Sequence, residues 1–220
     1  MFEIDMGIRK HAFAEGEFYH IYNRGVEKKP IFTQQKDVDR FFKSILEFNN
    51  ITPIGSIYEN SFVKESSIYR PLVRFVAYCL NPNHYHFILE PIVNKGIEKF
   101  MQRLGTGYTK YFNRRYKRSG VLFQGKFKSS HIDSNEYLLH VSAYVNLNNK
   151  VHQLGSQASK LVRSSWNEYV DPARQGICDK RIILDQFSTA NQYVEFANSS
   201  LPQIIERKNS LKEIQSLLID

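Results

Sequence analysis

Residues 81–91, NPNHYHFILEP, decide how this chain folds. Just before them, Leu72 to Leu80 (LVRFVAYCL) is almost unbroken apolar sequence, as in a central strand covered on both faces. Asn81-Pro82-Asn83 supplies turn chemistry, and His84 to Ile92 reads as the returning strand, closed by Pro91 near its end. Side chains alternate along a strand, so His84 and His86 project to one face while Tyr85, Phe87 and Leu89 go to the other. Two imidazoles on one face of a rigid strand are able to hold a divalent cation. His-x-His is a weak signal alone and needs a third ligand from elsewhere.

Working outward, Phe18 to Asn23 (FYHIYN) reads as a short strand ending in an Arg24-Gly25 turn. Asp37 to Phe48 carries Val38, Phe41, Phe42, Ile45 and Leu46 at helical spacing, and Ile51 to Ser67 reads as a loop. Gly96 to Arg118 forms a long helix that Gly105 and Gly107 weaken or bend and Gly120 stops. Val121–Phe123 and Lys126–Ile132 follow as two short strands around Gln124-Gly125. Ser134 then caps a helix over Asn135 to Asn148. Beyond Val151 the chain turns loop-rich, then helical from about Thr189 to Leu218, with Pro202 interrupting. This order predicts an α+β layer, one antiparallel sheet with helices on one face. Residues 1–152 make up the main domain, and 153–220 an extension of loop and helices packed on it.

Charge narrows the function. The 220 residues include 30 Lys+Arg and 22 Asp+Glu, a formal net charge of +8. Arg103, Lys110, Arg114, Arg115, Lys117, Arg118, Lys126 and Lys128 fall between 101 and 132, where there is no Asp or Glu. That segment therefore holds the whole excess, leaving 22 basic against 22 acidic residues elsewhere. A solvated basic helix face is the plainer explanation, but concentration of this kind suits a polyanion-binding surface. Tyr108, Tyr111, Phe112, Tyr116, Phe123 and Phe127 are interleaved there, the pairing that single strands require. No apolar run is long enough for a membrane helix, and the first residues do not read as a secretory signal. Cys79 and Cys178, with no CxxC pair, point to a reducing cytoplasm and no thiolate metal site.

In HVSAYVNLNNK, His140 to Lys150, Tyr144 and Asn148 lie four apart on one helical face. They read as a core phenol and a helix-ending amide, or, if this helix packs across the histidine strand, as a nucleophile beside a metal ligand. Tyr108, Tyr111 and Tyr116 have no Asn or Gln four positions later. His140, four residues before Tyr144, is placed to take its proton, whereas His131 and His152 show no partner pattern.

The succession YHIYNRG, a helix with D-x-x-RF, NPNHYHF, GYTKYFNRRYKRSGVLFQGKFKS and YLLHVSAYVNLNNKV resembles the HUH single-tyrosine transposases, nearest their REP-associated branch. The resemblance runs from about Phe18 to His152. It implies a ferredoxin-like sheet with the histidines on a central strand. It also implies His84, His86 and Asn148 as ligands of Mg2+ or Mn2+, and Tyr144 as nucleophile. The activity implied is single-strand DNA cleavage and strand transfer on hairpin-forming DNA, with a 5′-phosphotyrosine intermediate, in a bacterial cytoplasm at the nucleoid, by a monomer or a homodimer. A relaxase or replication initiator with the same chemistry is one alternative, and a non-catalytic nucleic-acid binder of the same fold another. Two departures stand out: Tyr85 replaces a medium-sized apolar residue, and Asn148-Asn149 replaces Asn-Pro.

Overall fold

The computed structural model describes residues 12–55, 57, 69–152 and 156–217. Most of the loop expected at 51–67, and the first residues, lie outside these. Strands β1 (Phe18–Arg24), β2 (Val73–Asn81), β3 (His84–Pro91), β4 (Lys128–Ile132) and the two-residue β5 (Arg163–Ser164) form one sheet in the order β4-β1-β3-β2-β5. All named pairings are antiparallel. The first four give the ferredoxin-like order, and β5 extends the β2 edge.

Alternation on β3 divides two cores. Tyr85, Phe87 and Leu89 join Ile21, Phe75 and the apolar faces of α1 (Gln35–Phe48) and α2 (Gly96–Arg115). Tyr85 stacks on Phe87 at 4.7 Å between ring centroids, so this departure is absorbed as packing, away from the histidine face. Gly107 is required where α2 crosses α1: a Cβ there would lie 2.6 Å from the Phe48 ring. Gly105 meets nothing, and the helix runs through both.

The opposite face carries Val76, Ala77, Cys79 and Ile88, covered by α3 (Asn135–Asn146) and by Tyr169, whose hydroxyl donates to the Val76 carbonyl, while α4 (Ala190–Leu217) packs on the outer side of α3. Helices therefore pack on both faces rather than on the one face expected: α1 and α2 occupy one, and α3, backed by α4, the other. The apolar run of β2 demands this, because a bulge near Val76 turns Val76 and Ala77 to the same side, where they need cover. A buried polar network anchors α3. Asn146 donates to the Tyr193 hydroxyl of α4 (2.8 Å) and accepts from Ser165 (2.6 Å), while Ser142 lies 3.1 Å from the same hydroxyl.

Four boundaries differ from the sequence reading, one of them the helix expected over Asn135 to Asn148, which ends at Asn146. Helix α2 ends at Arg115. Of the two strands expected around Gln124-Gly125 only β4 forms, with Phe123 making a single bridge to Gly25. Pro202 lies inside α4 without interrupting it; it removes one hydrogen bond, and the helix is held by burial of Tyr193 and Ala197.

Candidate active site

Strand pairing puts the two histidines among specific neighbours. His84 is flanked by Arg24 on β1 and Asn81 on β2, and His86 by Tyr22 and Cys79. His20, two positions before Tyr22, shares this face.

Each histidine has one ring nitrogen fixed by a partner. Asn83 donates its amide N–H to the Lys28 carbonyl (3.0 Å), leaving its oxygen 2.7 Å from His84 Nδ1. His84 Nδ1 must therefore carry the proton, and Nε2 presents a lone pair. That Nε2 lies 3.0 Å from Asn148 Oδ1, also an acceptor, and 3.0 Å from Asn81 Nδ2. Asn81 Nδ2 donates to Asn148 Oδ1 at 2.8 Å. On the other histidine, Nδ1 lies 2.8 Å from His20 Nε2, which leaves Nε2 of His86 for a ligand. Burial lowers the pKa of all three imidazoles: His20 falls to about 4, and His86, beside His20, His84 and His152, goes well below its ordinary value. They are neutral at physiological pH, as metal ligands must be.

Tyr144 and Asn148 arrive from the helix covering this face. The Tyr144 ring stands edge-on to His86 (5.3 Å, 85°) and to His20 (5.8 Å, 83°). Burial pushes its pKa up to about 12, opposed by the Asn148 side chain. Helix α3 ends at Asn146, and a separate turn, Asn148–Val151, carries Asn148 on at full burial. Its amide nitrogen is buried without a hydrogen-bond partner. This fits a divalent cation: two lone-pair donors, His84 Nε2 and Asn148 Oδ1, converge, and the same amide lies beside the Tyr144 phenol. Tyr144, His84, His86 and Asn148 all come from one chain.

The structure adds His152. Its ligand atom and those of His84 and His86 lie within 4.8 Å of one another, and its ring centroid is 4.4 Å from that of His84. The sequence reading missed it; its one signal, a place four beyond Asn148, counts only once the turn Asn148–Val151 is known to form. His140 packs instead on Phe196 of α4 (5.2 Å), and His131 lies 2.9 Å from Glu17, so neither joins the site. Lys208 also reaches this region: it donates to the Val151 carbonyl (2.7 Å), and its charge helps keep His84 neutral.

The eight basic residues split by role. Arg103 is tied to the Asn50 and Ile51 carbonyls after α1. Arg115 is bound to Gln34 (2.7 Å) and to the buried Asp37 (3.3 Å), which also accepts from Tyr116, Thr33 and the Gln34 N–H. Arg118 bonds the Val121 carbonyl (2.9 Å). Lys110 and Arg114 are exposed on α2, behind the sheet as seen from the histidines. Lys117 and Lys126 are exposed around the turn leading to β4. Lys128 is exposed opposite Tyr22, on the histidine side. Asn23 and Arg24 hold the end of β1 to the Gln124-Gly125 turn, and Arg24 lies close enough to His84 to depress its pKa.

Comparison with known proteins agrees with this geometry. The family described as "Transposase IS200 like" matches residues 63–148, which include His84, His86, Tyr144 and Asn148. Among solved structures, a REP-associated tyrosine transposase bound to a REP hairpin superposes with a TM-score of 0.51 at 13% identity, over 78% of this chain and 90% of that one. No curated protein matches. The chain resembles the single-tyrosine transposases in sequence, and its α+β fold is theirs.

Proposed function

We propose that this chain is a metal-dependent endonuclease and strand transferase for single-stranded, hairpin-forming DNA. The observation that carries this reading is the convergence of Tyr144 and Asn148, from the helix side, on His84 and His86 of the central strand. Residues 1–152 hold this chemistry, and 153–220 form an extension whose helix α4 backs the tyrosine helix.

His84 Nε2, His86 Nε2 and Asn148 Oδ1 would hold Mg2+ or Mn2+, which when bound polarises a phosphoryl oxygen and offsets charge developing on phosphorus. Tyr144 Oη attacks the phosphorus, forming an O–P bond as the bond to the 3′ oxygen breaks. The phenol proton is lost, the departing 3′ oxygen gains one, and the DNA stays joined to Tyr144 by its 5′ phosphate. With a pKa near 12 the phenol is protonated at neutral pH, so its proton leaves during attack rather than before it. Edge contacts with His86 and His20 fix the ring. A 3′ hydroxyl can reverse the step, which makes the same site a strand transferase.

Lys126, Lys128, Lys117 and Arg24 are placed to meet backbone phosphates at the His84 end of the sheet. Action on genomic DNA places the protein in the cytoplasm, at the nucleoid. A homodimer, if formed, is not needed to complete the site, since one chain supplies all four residues.

The test is a hairpin oligonucleotide labelled on the side 3′ of the cut, incubated with protein and Mn2+, then run on a denaturing gel. Wild type should yield a protein–DNA adduct and Tyr144→Phe none. An adduct formed equally by Tyr144→Phe would assign the nucleophile elsewhere.

A further inference from the structure

Resting on the metal reading above, we infer that His152 is an additional ligand of the same cation, and that the resulting three-imidazole site selects transition-metal dications over Mg2+. Donors of His84, His86 and His152 lie within 4.8 Å of one another. In six-coordinate sites with bonds of about 2.1–2.2 Å, neighbouring donors stand about 3 Å apart and opposite ones about 4.3 Å. The His84–Asn148 separation of 3.0 Å is that of neighbours. Closing the imidazole triangle needs ring shifts below about 1 Å.

Local backbone keeps His152 in place. It caps the turn Asn148–Val151, its N–H donating to the Asn148 carbonyl at 3.1 Å, so the two side chains leave the same side of one helical turn. Lys208 holds that turn from outside through the Val151 carbonyl. Tyr144, Asn148 and His152 thus present nucleophile, amide and imidazole in succession along one edge of the histidine face.

Donor chemistry sets the selectivity. Mg2+ prefers an all-oxygen shell and gives up water reluctantly, whereas imidazole suits the later first-row dications, with affinity rising from Mn2+ through Co2+. Three neutral imidazoles and one amide oxygen leave the full charge of the cation uncompensated, available to a phosphate.

Binding of Co2+ and Mg2+ to the DNA-free full chain tests this, by calorimetry and by the visible absorption of bound Co2+, in wild type, His84→Ala, His152→Ala and His152→Asn. Wild type should bind Co2+ at least about tenfold more tightly than Mg2+. His152→Ala should lose about tenfold or more in Co2+ affinity and change the Co2+ spectrum, with Mg2+ affinity moving less than about threefold. His152→Asn, which supplies oxygen instead of nitrogen, should fall between. Unchanged Co2+ affinity and spectrum in both His152 variants, while His84→Ala loses binding, would overturn the inference and leave the metal site standing. No Co2+ binding by wild type would overturn both.

Discussion

Nε2 of His20, a half-buried ring, lies 2.8 Å from Nδ1 of the buried His86, so the tautomer of one dictates that of the other. If His86 is to offer Nε2 to a cation, its Nδ1 must hold the proton and His20 must accept it. In the proposed metal site His20 would be a positioning residue, acting through His86 as metal-bound histidines generally depend on an outer partner.

Replacing His20 separates this from simple packing. His20→Phe keeps an aromatic ring in the buried space but loses the acceptor, and should weaken Mn2+ binding by about 10–100-fold. His20→Gln retains an amide oxygen able to accept from His86 and should recover part of that loss. Equal Mn2+ affinity in wild type and both variants, measured by calorimetry, would reduce His20 to packing.

The same burial predicts acid sensitivity of the metal-free protein. A histidine kept neutral in the fold, with its pKa lowered from 6.5 to about 4, binds fewer protons folded than unfolded between those values. Stability is full above about pH 6.5 and falls as pH drops toward 4. His20 alone would account for roughly 3 kcal/mol across that window, and His84 and His86 shift in the same direction. Urea unfolding in EDTA at pH 7.5, 6 and 5 should show this fall. A flat profile would mean that these imidazoles are not buried neutral.

Gly107 tests the helix crossing behind the sheet. Gly107→Ala places a methyl 2.6 Å from Phe48 ring atoms and should destabilise by about 1–3 kcal/mol despite the better helix propensity of Ala. Phe48→Leu, which removes the ring, should make the second change nearly neutral. Additive losses in urea melts would show that the clash is relieved elsewhere.

Charge reversal must now respect which basic side chains the fold uses. Lys126→Glu with Lys128→Glu should weaken hairpin binding and reduce the salt slope by about two, one for each lost phosphate contact. Lys36→Glu with Lys43→Glu, exposed on α1 behind the sheet, is the matched control. Arg115→Ala should instead lower stability, because buried Asp37 loses its cation. Equal losses of binding from the two Lys pairs would show a diffuse rather than a directed surface.

These outcomes reflect what local sequence carries. Local rules put His84 and His86 on one strand face and Tyr144 and Asn148 on one helical stripe, whereas the roles proposed for them came from the family resemblance; the same strand alternation sent Tyr85 to the other face. His20 was not, since its link to His86 depends on the β1–β3 register, which joins residues 66 apart. His152 escaped because α3 breaks at Leu147 and resumes, so its alignment with Tyr144 is not that of one continuous helix. Arg103 and Arg115 looked like free cations because their acceptors, at Asn50 and Asp37, belong to another helix and its end. The placement of α3 and α4 on the second face follows from tertiary packing, although the unbroken apolar run of β2 already required cover there.

Asn148 joins metal, nucleophile and fold, and its variants should separate the three. Its oxygen accepts from Asn81 and faces His84 Nε2, while its nitrogen is buried without a partner near Tyr144. It caps no helix, so a capping loss is not expected. Asn148→Ala strands the Asn81 N–H in a buried site, which should lower stability by about 1–3 kcal/mol, and it also removes a ligand, raising the Mn2+ concentration needed for cleavage. Asn81→Ala makes the useful contrast: it spares the ligand and loses mainly the stability share. Asn148→Gln keeps an amide on a longer arm and should retain partial activity. Asn148→Asp supplies a carboxylate that still accepts from Asn81, so metal binding should tighten, yet its charge cancels part of the field polarising the phosphate. At limiting Mn2+ the cleavage rates should fall in the order Asn, Gln, Asp, Ala, while affinity for Mn2+ should be highest in Asn148→Asp. Cleavage and Mn2+ titrations that superimpose for all four side chains, with stability alone changing, would make Asn148 a structural partner of Asn81 and leave the histidines to hold the cation.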